Sequence, residues 1–465
     1  MPVLAGAAAG FSLTPWGLPP LLWLALVPLW SFGPRQAALW GGSAVLVSHG
    51  WLLWLHPLTW LGVPAPLSLP LVVLILLICS GLGAALVALW SCVLLLLLDG
   101  RRWQTALLAA ALWALAEPWL ATSPLFWVGL AVAPLPHDRP LAGLAALGGG
   151  GLVTLVQLLL SWLLARRQWG ALLALLLLGH ALGAAALALA AADGSGGAPL
   201  QVLAVQPAQA TRRKFEAASQ LQLQGLLQRA RRRAAALTPS PLLLLPEGTL
   251  PLDDRPAGAP AVDLLAGGFR RQGEAERSSV LWLPAGAEAP RAWVDKHRLV
   301  PLGEWVPMAD RIPWGGLSAV GGLQPGPADR RLPLPLPAGD AAVAICYELA
   351  DGRALARAVA DGAGWLLAVA NLDPYPPMLQ RQFLNLGRLR AIETGRWLLT
   401  VANTGPTAVV DPTGRVVQQL PSGSTQLGLL QLRGRRSLSG YDRWGEVPLL
   451  LLTAAAGVLV VRQAR

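Results

Sequence analysis

Long, nearly uninterrupted apolar runs fill the first part of the chain, and short apolar runs broken by polar stretches fill the rest. A helix needs ~20 apolar residues to cross a bilayer. Runs of that character lie at 2–13 (short), 17–32, 36–55, 69–98, 103–121, 141–165, 169–191 and 447–461. They predict about eight transmembrane helices, seven before the polar region and one after it. The first two form either a hairpin or one element bent at Pro15, Pro19 and Pro20.

From about Pro199 the texture changes. QVLAVQPA (201–208), LLLLPEG (242–248), SVLWLPAG (279–286), AWVDK (292–296), AAVAICYE (341–348) and WLLAVANLD (365–373) predict strands. WLLTVANTG, TAVVDPTG and QLGLLQLRG predict three more, and helices are expected at 215–237 and 379–394. Near-continuous apolar strands imply a sheet covered on both faces. In DPTG, proline sets φ and Gly414 supplies the positive-φ position of a hairpin turn. The expected organisation is a membrane domain at 1–198, an α/β catalytic domain at 199–440 and a closing helix at 441–465.

Charge sharpens that division. Only 13% of residues are charged, about half the share of an ordinary globular domain, and mean hydropathy is +0.51. Ten charged residues precede Pro199, and the other 51 of 61 follow it. Arg35, Arg101 with Arg102, Arg166 with Arg167, and Arg462 with Arg465 all fall on one side of the expected spans. The positive-inside rule makes that side cytoplasmic and puts the polar region outside. The net charge of +11 carries no aromatic-interleaved basic stripe, so anionic headgroups explain it better than nucleic acid. Lysine occurs only at Lys214 and Lys296, which suggests chemical reasons for keeping it.

Several chemistries are excluded or reduced. Three cysteines make no disulfide framework, and Cys79 and Cys92 lie in apolar runs as buried filler. There is no metal-ligand spacing, no phosphate-cradling loop and no G-x-S-x-G elbow, and no cofactor is expected. The N-terminus lacks the charged region of a cleavable signal peptide, so its helices should be retained. Glu117 is read first as a helix–helix hydrogen-bonding group and second as a headgroup site. His49, His56 and His180 are read as packed or interfacial, His297 as a solvated neighbour, and the 21 tryptophans as interface anchors.

Glu247, Lys296 and Cys346 each fall at the end of an expected strand, where α/β folds gather reactive groups. Together they suit acyl transfer. A thiolate attacks a carbonyl, a carboxylate takes the proton, and an ammonium stabilises the tetrahedral oxygen.

PEGTL with Glu247, VDKHRLVPLGEWVP with Lys296 and Glu304, and AICYE with Cys346 resemble the signature segments of apolipoprotein N-acyltransferases. These are the membrane-embedded branch of the nitrilase (carbon–nitrogen hydrolase) superfamily. GFSLTPWGLPPLLWLALVPL and RLRAIETGRWLLTVANTGPTAVVDPTGR extend the resemblance over nearly the whole chain. It implies an αββα sandwich on a helical membrane domain, in the inner membrane of a Gram-negative bacterium with the catalytic domain in the periplasm. It makes Glu247 the general base, Lys296 the oxyanion-stabilising cation and Cys346 the thioester-forming nucleophile. Glu304 becomes a supporting carboxylate, Tyr347 and Glu348 shape the pocket, and the Tyr347 N–H is an oxyanion donor. The implied partners are a phospholipid acyl donor and a lipoprotein with an N-terminal S-diacylglyceryl cysteine, served by a monomer. The pattern departs at NLDPYPPM (371–378), where the family commonly has N-D-A-W-F-G, and Phe383 replaces a frequent histidine. Two other readings remain at this stage: a membrane-anchored amidase or lipase that passes the acyl group to water, and a transporter or scaffold with a binding-only domain.

Overall fold

The structure is a computed structural model of the whole chain. It describes residues 1–13, 15–97, 102–123, 126, 128–193, 197–214, 216–250, 260–301, 304–305, 322–330, 332–373 and 375–464. Leu98, Asp99, Arg101, Phe215, Pro374 and Arg465, with positions 302–303 and 306–307 of KHRLVPLGEWVP, lie outside the described residues.

Helices occur in every long apolar run of the first part: α1 (Pro2–Ser12), α2 (Pro19–Leu26), α3 (Pro34–Ser48), α4 (Ala65–Leu97), α5 (Trp103–Leu120), α6 (Arg139–Ala142), α7 (Ala145–Ala165) and α8 (Trp169–Ala192). Among the described residues, α4, α7 and α8 are each long and apolar enough to cross a membrane. The outer faces of α4 and α8 stay apolar, with Leu74, Leu77, Ile78, Leu173, Leu177 and Leu189 exposed. A helix apolar on all sides with a bare apolar face is one that lipid covers. Small residues let helices close up on α5, where Ala106, Ala110, Ala111 and Ala114 are fully buried.

The run at 141–165 is broken rather than continuous. Gly148 and Gly149 leave helical geometry, Gly149 at φ +68, and a Cβ on Gly149 would stand 2.4 Å from the Tyr441 ring. Only glycine combines that backbone with that approach.

The second part builds two six-stranded sheets from β1 (Pro199–Gln206), α9 (Ala217–Ala235), β2 (Leu242–Leu250), β3 (Leu264–Gln272), β4 (Ala275–Leu283), β5 (Ala292–Asp295), β6 (Pro333–Leu334), β7 (Ala341–Ile345), α10 (Gly352–Ala360), β8 (Trp365–Ala370), α11 (Pro377–Thr394), β9 (Leu398–Ala402), β10 (Ala408–Val410), β11 (Val416–Gln419) and β12 (Gln426–Arg433). The chain ends in α12 (Gly440–Trp444) and α13 (Val447–Ala464). One sheet runs β12-β1-β2-β3-β4-β5 and the other β11-β10-β9-β8-β7-β6.

Alternation of side chains explains the layering. Val202 and Ala204 of β1 face Val343, Ile345, Leu367 and Val369 of the second sheet, forming a core between the sheets. Leu203 and Val205 point the other way, onto Leu226, Ala230 and Ala234 of α9. The outer face of the second sheet, through Ala344, Leu366 and Ala368, packs on α10 and α11, and this cluster continues into α6 and α7. The sheet-bearing half therefore rests on the helical half through the α10–α11 layer.

That contact is made at one end of the helices. The α5 end meets it through Ala121, the segment after α3 through Trp51, and the restarted α7 through Gly150. The opposite ends carry Arg35, Arg102 and the pair Arg166 and Arg167.

Candidate active site

Glu247 and Lys296 come from the first sheet, and Cys346 from the second. Glu247 lies inside β2 rather than at its end. The ladder from β2 to β3 slips between Leu245 and Leu250, which frees Glu247 from regular pairing. A Cβ on Gly267 of β3 would stand 2.5 Å from the Glu247 Cα and 2.4 Å from the Pro246 oxygen. The glycine lets β3 lie against the carboxylate's own backbone.

Lys296 follows β5 directly and is 1% exposed. Its Nζ donates to Glu247 Oε1 at 2.7 Å and to Glu304 Oε1 at 2.8 Å. Burial opposes its charge, but Glu247 and Glu304 together hold its pKa well above the ordinary value. The ammonium keeps its charge, and two of its three N–H groups are used among the described residues.

Each carboxylate is fixed on its second oxygen as well. Asn371 N–H donates to Glu247 Oε2 at 2.9 Å, and Val300 N–H donates to Glu304 Oε2 at 2.8 Å. Burial pushes the Glu304 carboxyl up in spite of Lys296, and Glu247 adds to the rise. The only other lysine of the chain, Lys214, stands beside the same carboxylate. Its ammonium donates to the Gly248 carbonyl, and burial lowers its pKa against the pull of Glu247.

Cys346 opens the tight turn after β7 at φ +56, a left-handed position that costs a non-glycine residue strain. Burial and the charge of Glu247 push its thiol far above the ordinary range, although Lys296 pulls the other way. At rest it is a thiol, so attack requires a base that takes the proton as the S–C bond forms. The Tyr347 N–H contacts the sulfur.

Tyr347 and Glu348 act chiefly on the lysine segment. Tyr347 Oη donates to the Leu299 carbonyl at 2.7 Å, with its ring 5.9 Å from Lys296 Nζ. Glu348 Oε1 accepts from His297 N at 2.8 Å, Arg298 N at 3.1 Å and Arg330 Nη2 at 2.6 Å, and its Oε2 accepts from Ile345 N at 3.1 Å. The residue two places after Cys346 thus binds the end of β7 to the backbone just beyond the lysine. That linkage ties the Cys346 turn to the Lys296 segment.

His297 is half-buried and makes one side-chain hydrogen bond among the described residues. Its Nδ1 lies 2.7 Å from the Gly326 carbonyl oxygen. Glu117 is buried and accepts from Thr154 Oγ1 at 2.5 Å, Trp113 Nε1 at 3.1 Å and Leu130 N at 2.9 Å, which joins α5 to α7 and to the loop before α6. His180 pairs with Asp138 at 3.0 Å, and His49 binds the Phe126 carbonyl at 3.0 Å.

Sequence reasoning named Glu304, Tyr347 and Glu348 beside Glu247, Lys296 and Cys346 but missed Arg298, Arg330 and the Asn371 N–H. Arg298 donates to the Ala121 carbonyl at 2.6 Å and pairs with Asp351, the N-cap of α10, so it clasps the lysine segment to the membrane half. The backbone of Asn371 carries no signal in a sequence. Arg298 and Arg330 are two among many arginines, and nothing in the string distinguishes them.

The model of the carbon–nitrogen hydrolase family matches residues 279–436, a span that contains Lys296, Glu304 and Cys346 and begins after Glu247. Over 485 residues the chain is 49% identical to an apolipoprotein N-acyltransferase of Prochlorococcus marinus (strain MIT 9313), covering 98% of this chain and 94% of that one. The same name belongs to a protein of Parasynechococcus marenigrum (strain WH8102), 49% identical over 95% of this chain and 96% of its own. A third so named, from Thermosynechococcus vestitus, is 30% identical over 98% of this chain and 95% of its own.

Proposed function

The chain belongs to the apolipoprotein N-acyltransferases, within the nitrilase superfamily, and from that premise we propose how its own residues carry acyl transfer. The observation that carries the proposal is the Lys296 ammonium held between Glu247 and Glu304, with Cys346 at a left-handed position in the turn after β7.

In the first half-reaction Glu247 takes the Cys346 proton as the sulfur attacks an ester carbonyl of a membrane phospholipid. The carbonyl oxygen becomes negative and accepts hydrogen bonds from the unused N–H of Lys296 and from the Tyr347 N–H. The intermediate collapses by breaking the ester C–O bond. Protonated Glu247 returns its proton to the departing oxygen, leaving a lysophospholipid and a Cys346 thioester.

In the second half-reaction the neutral α-amine of an N-terminal S-diacylglyceryl cysteine attacks the thioester. Glu247 accepts a proton from that nitrogen, the C–S bond breaks, and the sulfur recovers a proton as the amide forms. Glu304 keeps Lys296 charged and aimed throughout.

Both substrates are lipids, which accounts for a catalytic half seated on one end of apolar helices. The arginines cluster at the other end, so the site lies on the outer side of the inner membrane, in the periplasm. The spans of this reading are the eight apolar runs, and the enzyme works as a monomer.

The test supplies purified protein in detergent with phospholipid labelled in its acyl chains and a synthetic peptide bearing S-diacylglyceryl cysteine. Label appearing in the peptide as an alkali-stable amide supports the proposal. Label released only as free fatty acid would show that water is the acceptor and would sink it.

A further inference from the structure

The segment that departs from the family pattern brings one more polar group to this site. Asn371 is fixed by its N–H on Glu247, and four residues later Tyr375 closes a turn by donating its N–H to the Leu372 carbonyl at 3.1 Å. The parallel pairing of β7 with β8 aligns Ile345 with Val369, so the chain after β8 emerges beside Cys346. The Tyr375 ring meets Trp51 edge-on, with centroids 5.3 Å apart at 89°. Trp51 belongs to the membrane half, is buried, and meets Phe126 in the same manner at 6.2 Å. Tyr375 is thus held from both halves of the molecule.

Its hydroxyl, by contrast, has no hydrogen-bond partner among the described residues, and the residue is only half-buried. The buried Tyr347 and Tyr441 spend their O–H on Leu299 and Glu446, whereas the hydroxyl of the half-buried Tyr375 stays available to an acceptor that enters the site. A rigidly packed ring with an unclaimed hydroxyl is what a site built for an incoming oxygen provides.

We propose that Tyr375 is a further catalytic residue, whose hydroxyl donates a hydrogen bond to the carbonyl oxygen of the bound acyl group as that oxygen becomes negative. This deepens the acyl-transfer reading and rests on it. No proton leaves the tyrosine and no bond to it forms. The hydrogen bond strengthens as charge builds on the substrate oxygen and relaxes when the intermediate collapses. Desolvation and the charge of Glu304 push the phenol's pKa up, so it keeps its proton through both half-reactions. The same oxygen carries the charge in both tetrahedral intermediates, so both steps feel the residue.

The experiment compares wild type, Tyr375→Phe and Tyr375→Ala as full-length proteins, measuring single-turnover thioester formation against phospholipid concentration. Tyr375→Phe keeps the ring on Trp51 and removes only the hydroxyl. Its limiting rate is expected to fall about 10- to 100-fold, at or below the usual loss of one oxyanion donor, with half-saturation changed less than about twofold. A Tyr375→Phe protein at wild-type rate overturns the proposal, and a defect confined to Tyr375→Ala assigns the residue to packing. A loss wholly in half-saturation also overturns it, since that marks ground-state binding. Absence of thioester on the wild type overturns the transfer reading itself, whereas thioester on wild type with an unimpaired Phe variant overturns only this inference.

Discussion

Replacing Glu348 by glutamine changes one atom of the site's frame and should disable the enzyme. The carboxylate accepts four hydrogen bonds, three on Oε1 from His297 N, Arg298 N and Arg330, and one on Oε2 from Ile345 N. Glutamine has one acceptor oxygen. If it replaces Oε1, its NH2 confronts the Ile345 N–H and the Arg330 charge is left unpaired. If it replaces Oε2, three donors confront the NH2. Glu348 and Arg330 are both largely buried, so neither loss is made good by water. An orphaned buried donor costs about 1–3 kcal/mol, and removing one member of a buried pair about 3–5 kcal/mol. If about 3 kcal/mol of that appears as displacement of the Lys296 segment from Cys346, thioester formation slows about 100-fold. Intact-mass measurement of acyl-enzyme over time reads this directly, and a melting curve in the same detergent separates misalignment from unfolding. Glu348→Gln protein acylated within about threefold of wild type would refute the reasoning, because the linkage would then not set the geometry.

Further outcomes follow from the same geometry. Gly267→Ala places a Cβ 2.5 Å from the Glu247 Cα, so the base must shift; acylation is expected to fall at least about 100-fold while the protein still inserts and folds, and wild-type activity would contradict this. Lys296→Met leaves Glu247 and Glu304 facing each other without their shared cation. Acylation should drop at least about 1000-fold and thermal stability should fall, with Lys296→Arg recovering stability better than rate. Glu393 in α11 is buried, and burial outweighs Arg390 to push its carboxyl up to about 7. A raised carboxyl pKa gives stability that is full below the ordinary value near 4.5 and is lost as pH rises through about 7. Glu393→Gln should therefore flatten the fall in melting temperature across that interval, and an unchanged slope would locate the effect elsewhere.

The sequence singled out Glu247, Lys296 and Cys346 because their chemistry is rare in this chain, with two lysines, three cysteines and a glutamate after LLLLP, and the structure pairs the first two. Apolar runs located the helices and most of the strands for the same reason, since composition alone separates lipid-facing from water-facing segments. What stayed hidden was held by backbone. Strand β3 reads as a loop at LLAGGFRRQ because glycines weaken strand propensity, yet Gly267 is there so that β3 can touch Glu247. The break in α7 was hidden in GGGG, a run that gives no sign of which glycine must adopt φ +68. Helix α10 was missed too, although GRALARAVA carries an apolar stripe, because it is short and alanine-rich. The frame around the site, from Glu348 to the backbone beyond Lys296 and from Asn371 N–H to Glu247, depends on a fold that brings distant segments together.

The central claim is that Cys346 carries the acyl group, and intact mass spectrometry of the detergent-purified protein after incubation with phospholipid tests it most directly. Wild type should gain one acyl-sized mass that neutral hydroxylamine removes, and Cys346→Ala should gain none. An adduct on both proteins, or on neither, would contradict the account.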